Sequence, residues 1–279
     1  MNRIALVTGS SSGIGLASAV GLAKAGCRVV ATVRDPSRAD ALEAARGSGA
    51  DLEIRRLDVT DPDAINACVA GVLGDHGRID ALVNNAGAGV RGTLEQLDDP
   101  TIAAAMDLNF WGTLRCARAV IPAMRAQGSG NIVSVTSMNG LIGMPFSDAY
   151  NASKFAVEGL MEGLAPVLAQ FGIGVSVIEP GPVNTGFTAN VRRVEAQSED
   201  GYAELSAAYE DRLRGLFSGG QTPEEVAAVV VEAAMSASPH LRYQSSLAAS
   251  AMAARKLVDT TGDSVLAATS ALIGAAPAR

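Results

Sequence analysis

Ile4-Ala5-Leu6-Val7-Thr8-Gly9-Ser10-Ser11-Ser12-Gly13-Ile14-Gly15 runs from a short apolar segment, through a Gly/Ser-rich turn, into an Ala- and Leu-rich amphipathic stretch. The order is strand, turn, helix. The turn reads T-G-x-x-x-G-x-G, and the more usual G-x-G-x-x-G is absent. Gly9 permits a sharp turn, Gly13 lets backbone approach a pyrophosphate closely, and Gly15 allows tight helix–strand contact. Backbone N–H groups and the positive end of the helix then face an anion. A glycine turn by itself is also an ordinary loop; the strand before it and the helix after it favour the dinucleotide reading. Gly9, Ser11, Ser12, Gly13, Ile14 and Gly15 are the candidate phosphate-binding residues.

The same rhythm continues outward. Residues 4–8, 28–33, 52–57, 81–84, 131–136 and 174–179 read as strands, and residues 14–25, 36–46, 61–74, 100–126 and 149–170 as helices. Asp61 before Pro62 and Asp99 before Pro100 read as N-caps followed by Pro at the first helical position. Strands alternating with helices predict an α/β fold: a Rossmann-type, doubly wound parallel sheet of about seven strands with helices on both faces. No linker divides the chain, so one domain over residues 1–279 is expected. Residues 184–221 break the rhythm and read as a mobile helical insertion over the substrate site. A helix over 223–234 capped by Thr222, a short strand at 241–244 and a helical tail over 245–279 follow.

Composition narrows the classes. Of 279 residues 48% are hydrophobic and 4% aromatic, which suits a core of small aliphatic side chains around a sheet buried on both faces. A formal net charge of -7 without a Lys/Arg cluster argues against a nucleic-acid partner. Cys27, Cys68 and Cys116 are too scattered for a disulfide framework or a metal site, and no metal is expected. The N-terminus does not read as a signal peptide and no stretch reads as a membrane span, so a cytoplasmic protein is expected.

The end of the second strand, Ala31-Thr32-Val33-Arg34-Asp35, addresses which dinucleotide is bound. An NAD site places a carboxylate there for the ribose hydroxyls. Val33 stands at that position and Arg34 follows, a guanidinium suited to the 2′-phosphate of NADP, with Ser11 or Ser12 adding hydroxyl donors. The other reading makes Arg34 a solvated surface residue and gives the ribose to Asp35. NADP(H) is favoured over NAD(H).

Tyr150-Asn151-Ala152-Ser153-Lys154 opens a helix, and the i, i+4 spacing puts Tyr150 and Lys154 on one face. An ammonium beside a phenol is expected to lower the phenol's pKa from about 10 towards working pH, making Tyr150 an acid/base for a substrate oxygen. Ser137, at the carboxyl end of the fifth strand, is placed to converge on the same oxygen; taken alone it also reads as a helix cap or turn residue. Met138, Leu141, Met144, Phe146, Phe187 and Val191 flank this point and carry no charge. They predict a pocket for a lipophilic ketone, aldehyde or secondary alcohol, with core packing as the alternative for each.

Together these residues resemble the short-chain dehydrogenase/reductase family over nearly the whole chain. The motifs stand in the family's order: Thr8–Gly15, Asp58-Val59, Asn84-Asn85-Ala86-Gly87, Asn109, Ser137, Tyr150-x-x-x-Lys154 and Pro180-Gly181. The resemblance implies a catalytic set of Asn109, Ser137, Tyr150 and Lys154. Tyr150 moves the proton, Ser137 holds the substrate oxygen, Lys154 grips the nicotinamide ribose, and Asn109 holds a water linked to Lys154. It also implies that Asp58 and Val59 contact adenine, that Asn85, Ala86 and Gly87 line the cofactor path while Asn84 pins the sheet, and that Pro180, Gly181, Val183 and Thr185 face the carboxamide side of the nicotinamide.

Within the family the likeness is greatest to the 17-beta-hydroxysteroid and retinol dehydrogenase group. Ala31–Asp35, Gly143-Met144-Pro145-Phe146, Tyr150–Gly159 and Leu241-Arg242-Tyr243 carry it. One departure puts steroid specificity in doubt: the estrogen pocket of that group uses a histidine in the insertion, and residues 184–221 contain none. His76 and His240 read as surface-turn residues. The alternatives are a 3-oxoacyl-(carrier protein) type reductase and a non-catalytic NADP-sensing regulator. The family also pairs subunits through the helices at about 100–126 and 149–170, so a homodimer or homotetramer is expected.

Overall fold

Period-two alternation divides each central strand between two cores. In a computed structural model, which describes residues 2–187, 191–193, 201–259 and positions 261, 264, 268, 271 and 272, β1 (Arg3–Val7) sends Ile4 and Leu6 to one side and Ala5 and Val7 to the other. β7 (Ile173–Glu179) divides in the same way, Val175 and Val177 against Ile178. Both faces are dry, as near-continuous apolar strands require.

The remaining strands of this sheet are β2 (Cys27–Val33), β3 (Leu52–Arg56), β4 (Ala81–Asn84), β6 (Gly130–Val135) and β9 (Arg242–Gln244). The order is β3-β2-β1-β4-β6-β7-β9, and every pairing is parallel. Helices α3 (Pro62–His76), α5 (Gly112–Gln127) and α6 (Asp148–Ala169) cover one face through Ile65, Val120 and Met161. Helices α1 (Gly13–Lys24), α2 (Asp40–Gly47) and α8 (Pro223–Met235) cover the other through Leu22, Leu42 and Val230. This is the doubly wound Rossmann-type sheet the sequence predicts. The chain leaves β1 towards β2 and β3, then returns to β4 and continues the opposite way, so the switch point at which open α/β sheets form their ligand crevice lies beyond the carboxyl ends of β1 and β4.

Smaller elements dress that end of the sheet. β5 (Val90–Arg91) pairs with β8 (Arg192–Arg193), while α4 (Asp99–Met106) precedes α5. In the insertion the expected helix is α7 (Ala203–Ser218), and a parallel bridge from Val183 to Gln221 ties the insertion's two ends together. Of the expected tail, α9 (Leu247–Val258) is described; most positions beyond it, and residues 188–190 and 194–200 of the insertion, lie outside the described residues.

Four local expectations are corrected. The helix expected over 100–126 is two, α4 and α5, joined by a π-helical turn at Asp107–Trp111; such turns mark places where a side chain must be re-aimed, and here that side chain is Asn109. The cap of α4 is Asp98, which accepts from Thr101 N at 2.9 Å, so Asp99 is already helical and Pro100 stands one place later than expected. The 36–46 helix is a 3₁₀ turn, Pro36–Arg38, followed by α2. His76 ends α3 with its Nε2 2.8 Å from Glu53 Oε2, an ion-pair position instead of a surface turn. Asp61 and Thr222 cap as expected, Thr222 in a full capping box with Glu225. Cys27, Cys68 and Cys116 are buried free thiols, and among the described residues no helix is long and apolar enough to cross a membrane.

Candidate active site

The crevice is held by polar locks between its two strands. Thr8 Oγ1 accepts from Asn85 N at 3.0 Å and Ala86 N at 3.1 Å, while Asn85 Nδ2 donates to Thr8 O and Gly9 O, both at 3.0 Å. Asn85 is therefore part of the turn's frame. Asn84 Nδ2 donates to Ser134 Oγ at 3.3 Å, pinning β4 to β6. Gly9 has φ +68°, and a Cβ there would lie 2.8 Å from Ala86 Cα; at Gly15 it would collide with Gly9 O and Asn85 Nδ2. Only glycine fits either place. Gly13, at φ +57°, lies under the Thr185 side chain, with 3.5 Å between an added Cβ and Thr185 Cγ2. The end of β1 and the segment after β7 thus face each other over the turn. Ser12 precedes α1 without a side-chain bond to it, so the helix N-terminus keeps its donors for an incoming anion.

At the end of β2 stand the two residues that the cofactor readings invoke, Arg34 and Asp35. The Asp35 carboxylate accepts from Ser37 N at 3.0 Å and Ser37 Oγ at 2.8 Å, capping the Pro36–Arg38 turn. Those bonds hold it below its ordinary pKa. Arg34 beside it is exposed. Asp58 accepts from Thr60 N at 3.0 Å and Thr60 Oγ1 at 2.7 Å; burial pushes its carboxyl up, and these bonds with the Arg34 and Arg56 charges bring it below the ordinary range. Arg34 and Arg56 form a basic edge around Asp58. Val59 is buried, and Gly112 leaves room for its side chain.

Lys154 and Asn109 meet beneath Gly87. A Cβ on Gly87 would come within 2.9 Å of Asn109 Oδ1 and 3.6 Å of Lys154 Nζ. Asn109 is fully buried on its π turn: Oδ1 accepts from Ala88 N at 2.9 Å, and Nδ2 donates to Ala88 O at 3.0 Å and Ser153 Oγ at 3.1 Å. Lys154 Nζ donates to Val135 O at 3.0 Å and lies 5.8 Å from the Tyr150 ring centre. Ser137 caps a 3₁₀ turn, Met138–Gly140, through Asn139 N at 3.1 Å, so the cap reading holds for it as well. Asn139 Nδ2 then donates to Asn151 Oδ1 at 2.7 Å, and this amide pair, which sequence reasoning missed, ties the Ser137 turn to the first turn of α6. Pro180 O accepts from Met138 N at 3.0 Å; Gly181 lies near Ser246, and Val183 is buried against the sheet.

The protonation states differ from the expectation. Burial drives the Tyr150 phenol up to about 12, against the Ser137 hydroxyl and the Arg91 charge. Tyr150 keeps part of its surface exposed, yet its hydroxyl end sits in dry surroundings. Burial also pushes the Lys154 ammonium down to about 8, against the pull of Glu158. The i, i+4 spacing does place the two on one face, but desolvation outweighs any stabilisation of a phenolate by an ammonium that is turned to a main-chain carbonyl. At neutral pH the site therefore holds a neutral phenol, a proton donor, beside a charged lysine.

The six pocket candidates separate into three groups. Phe187 lies 6.0 Å from Tyr150 between ring centres, and Phe187 and Val191 both press on Gly89. Met138, Leu141 and Met144 pack with Ala249, Met252 and Ala253 of α9. Phe146, at φ +53°, meets Tyr202 and Tyr209 of the insertion at 6.4 and 5.7 Å. Arg91 was missed: its Nη1 donates to Ser147 Oγ at 3.3 Å, its guanidinium lies 5.1 Å from the Tyr209 ring centre, and Glu210 stands 3.7 Å away. A single arginine after a glycine-rich segment gives no signal in the sequence.

A family model described as short chain dehydrogenase matches residues 3–196. Human retinol dehydrogenase 8 is 39% identical over 287 residues, covering 99% of this chain and 91% of its own. Rat estradiol 17-beta-dehydrogenase 1 is 40% identical over 282 residues, covering 96% and 80%. Among solved structures, a short-chain dehydrogenase from Streptomyces avermitilis superposes with a TM-score of 0.81 at 33% identity, covering 92% of this chain and 93% of its own. A metagenomic short-chain oxidoreductase in complex with NADP gives 0.70 at 30%, covering 88% and 97%. A short-chain dehydrogenase/reductase from Burkholderia phymatum in complex with NAD gives 0.80 at 26%, covering 100% and 97%.

The Asn109 clamp is testable by stability. Asn109→Ala leaves Ala88 N–H, Ala88 C=O and the Ser153 hydroxyl without their buried partner, and is expected to lower the unfolding free energy by about 1–3 kcal/mol in urea titrations.

Proposed function

Because this chain belongs to the short-chain dehydrogenase family, we propose that it is an NADP(H)-dependent oxidoreductase acting between a lipophilic carbonyl compound and its secondary alcohol. The observation that carries the reading is the neutral, desolvated Tyr150 phenol flanked by Ser137, with the Lys154 ammonium beneath it. Such a phenol suits proton delivery to a carbonyl oxygen as negative charge develops there.

The turn fits a dinucleotide. Gly9, Gly13 and Gly15 bring backbone close, α1 is uncapped by side chains, and Ser11 and Ser12 stand at its start. Arg34, with Arg56 beside it, would take the 2′-phosphate of NADP(H). Asp35 accepts from Ser37 through Oδ1, and Val33 stands where an NAD site would carry its carboxylate, which together favour NADP(H). The bound nicotinamide supplies the hydride. Lys154 would hold its ribose, Asn85, Ala86 and Gly87 would line the path to it, and Pro180, Gly181, Val183 and Thr185 would bound its carboxamide side. Ser137 Oγ would hold the substrate oxygen while Tyr150 Oη moves the proton; in the oxidising direction the same phenol must first give up its own proton. Asp58 and Val59 would border the adenine.

Phe187 beside Tyr150, with Val191 next to it against Gly89, supports a lipophilic substrate. The names of the relatives, a retinol dehydrogenase and an estradiol dehydrogenase, agree with one. Insertion residues 184–221 hold no histidine, so no estrogen specificity is assigned. For assembly we propose a homodimer or homotetramer through α5, α6 and the π turn. Trp111 and Phe155 are exposed there, and Gly159 and Gly163 present open backbone on which a second helix can close.

Two substitutions test this reading. Tyr150→Phe is expected to reduce turnover of a lipophilic ketone by about 10²–10⁴-fold while leaving NADPH affinity, read by fluorescence titration, essentially unchanged. Retained turnover would remove Tyr150 from its role. Arg34→Ala is expected to weaken NADPH about 10- to 100-fold with little change for NADH, as for a lost charge-assisted contact; equal losses for both would make Arg34 structural.

A further inference from the structure

Charged groups that no step above uses lie one helical turn beyond Lys154. Glu158 of α6 is buried, with Oε1 accepting from Thr136 Oγ1 at 2.5 Å and Oε2 bound by Arg242 Nη1. The same Nη1 reaches Glu179 Oε1 at 2.7 Å, and Arg242 Nη2 reaches Glu162 Oε2 at 2.6 Å. Glu179, fully buried at the end of β7, also accepts from Gln244 Nε2 at 2.6 Å. Glu158 has a slot made for it: a Cβ on Gly140, in the turn that Ser137 caps, would lie 2.9 Å from Glu158 Cγ.

Four elements converge here, namely α6 with Lys154, Glu158 and Glu162, the end of β6 with Thr136, the end of β7 with Glu179, and β9 with Arg242. Arg242 pairs with buried Glu158 and Glu179 and with solvent-facing Glu162, and Lys154, one turn before Glu158 on α6, brings the second cation, itself buried, whose charge Glu158 favours. An uncompensated ion in such surroundings is unfavourable, and a balanced set is tolerated. Facing Lys154 from the other elements are Val135 O, Gly87 and Asn109, none of them charged; Arg91 acts on Tyr150. Glu158 is thus the anion placed to offset the buried lysine.

We propose that Glu158 is a positioning residue that keeps Lys154 in its ammonium form, and that Arg242 keeps Glu158 ionised, coupling the site to the β9 edge of the sheet. The effect on turnover rests on the role given to Lys154 above; the effect on Lys154 itself does not. Burial lowers Lys154 and Glu158 raises it. The Glu158 carboxyl stands above its ordinary range: burial and Glu179 push it up, and the Thr136 hydroxyl and Arg242 pull it back down, so Arg242 is the charge that favours its ionised form. Removing the Glu158 charge must therefore move the lysine further down.

The chain has only three lysines, Lys24, Lys154 and Lys256, so lysine labelled with ¹³C at Cε gives a short, assignable NMR titration. In the wild type Lys154 is expected to titrate at about 8. In Glu158→Gln it is expected to titrate about one pH unit or more lower, and the alkaline limb of kcat/KM with NADPH should move down by the same amount. Glu158→Asp, which keeps the charge one methylene further back, should show a smaller shift in the same direction and serves as the test if the glutamine variant does not fold. A Lys154 titration unmoved in both variants overturns the proposal. A titration that shifts while the rate profile stays fixed supports the proposal and removes Lys154 from the working site.

Discussion

The contact between Thr8 and Asn85 across the reversal of strand order underlies the rest of the structure. Parallel strands diverge where the winding changes direction, and backbone polar groups at that point would otherwise lack partners. Thr8 Oγ1 takes two of the N–H groups after β4, and the Asn85 amide takes two of the carbonyls after β1. The lock fixes Gly9 against Ala86 and Gly15 against Gly9, which shapes the turn and aims α1 at the crevice. It also delivers Gly87 to its place over Asn109 and Lys154. One set of hydrogen bonds thus fixes the glycine turn relative to the Asn109–Lys154 cluster.

Dryness is the second constraint. Lys154 stands among a main-chain carbonyl, a glycine and an amide, and Tyr150 presents its hydroxyl to Ser137. In such surroundings the charged form of either group is disfavoured, so burial pushes the phenol up to about 12 and the ammonium down to about 8. In the proposed reaction that combination suits the reducing direction at neutral pH, because the donor is already protonated. The buried Glu158–Arg242–Glu179 network stitches β9 to the sheet one helical turn along α6 from Lys154.

The sheet was legible in the sequence because its cause is local. Apolar runs of four to seven residues, each followed by a turn and an amphipathic stretch, dictate strand, loop and helix without reference to distant residues. The glycine turn and the Tyr150–Lys154 pair were legible for the same reason: their geometry is contained in a few consecutive residues. What was not legible depends on residues far apart in the chain. The π turn at Asp107–Trp111 goes with long-range bonds, Asn109 to Ala88 and to Ser153, that the local sequence does not report. The engagement of Asp35 depends on a serine whose turn could not be seen in advance. The direction of the Tyr150 shift follows from desolvation, which adjacency along a helix does not report. Nor could hydrophobicity tell Phe187, beside Tyr150, from Met138 and Leu141, which pack under α9.

The central claim is that hydride passes in this crevice between a nicotinamide and a carbonyl carbon activated by Tyr150. It is tested most directly by incubating the protein with NADPH doubly deuterated at C4 and a neutral lipophilic ketone, then locating the label in the product by mass spectrometry and NMR. The expected result is an alcohol bearing one deuterium on the carbinol carbon. An unlabelled alcohol, or no alcohol from any ketone across a panel of steroids, retinoid-like carbonyls and aryl ketones, would contradict it.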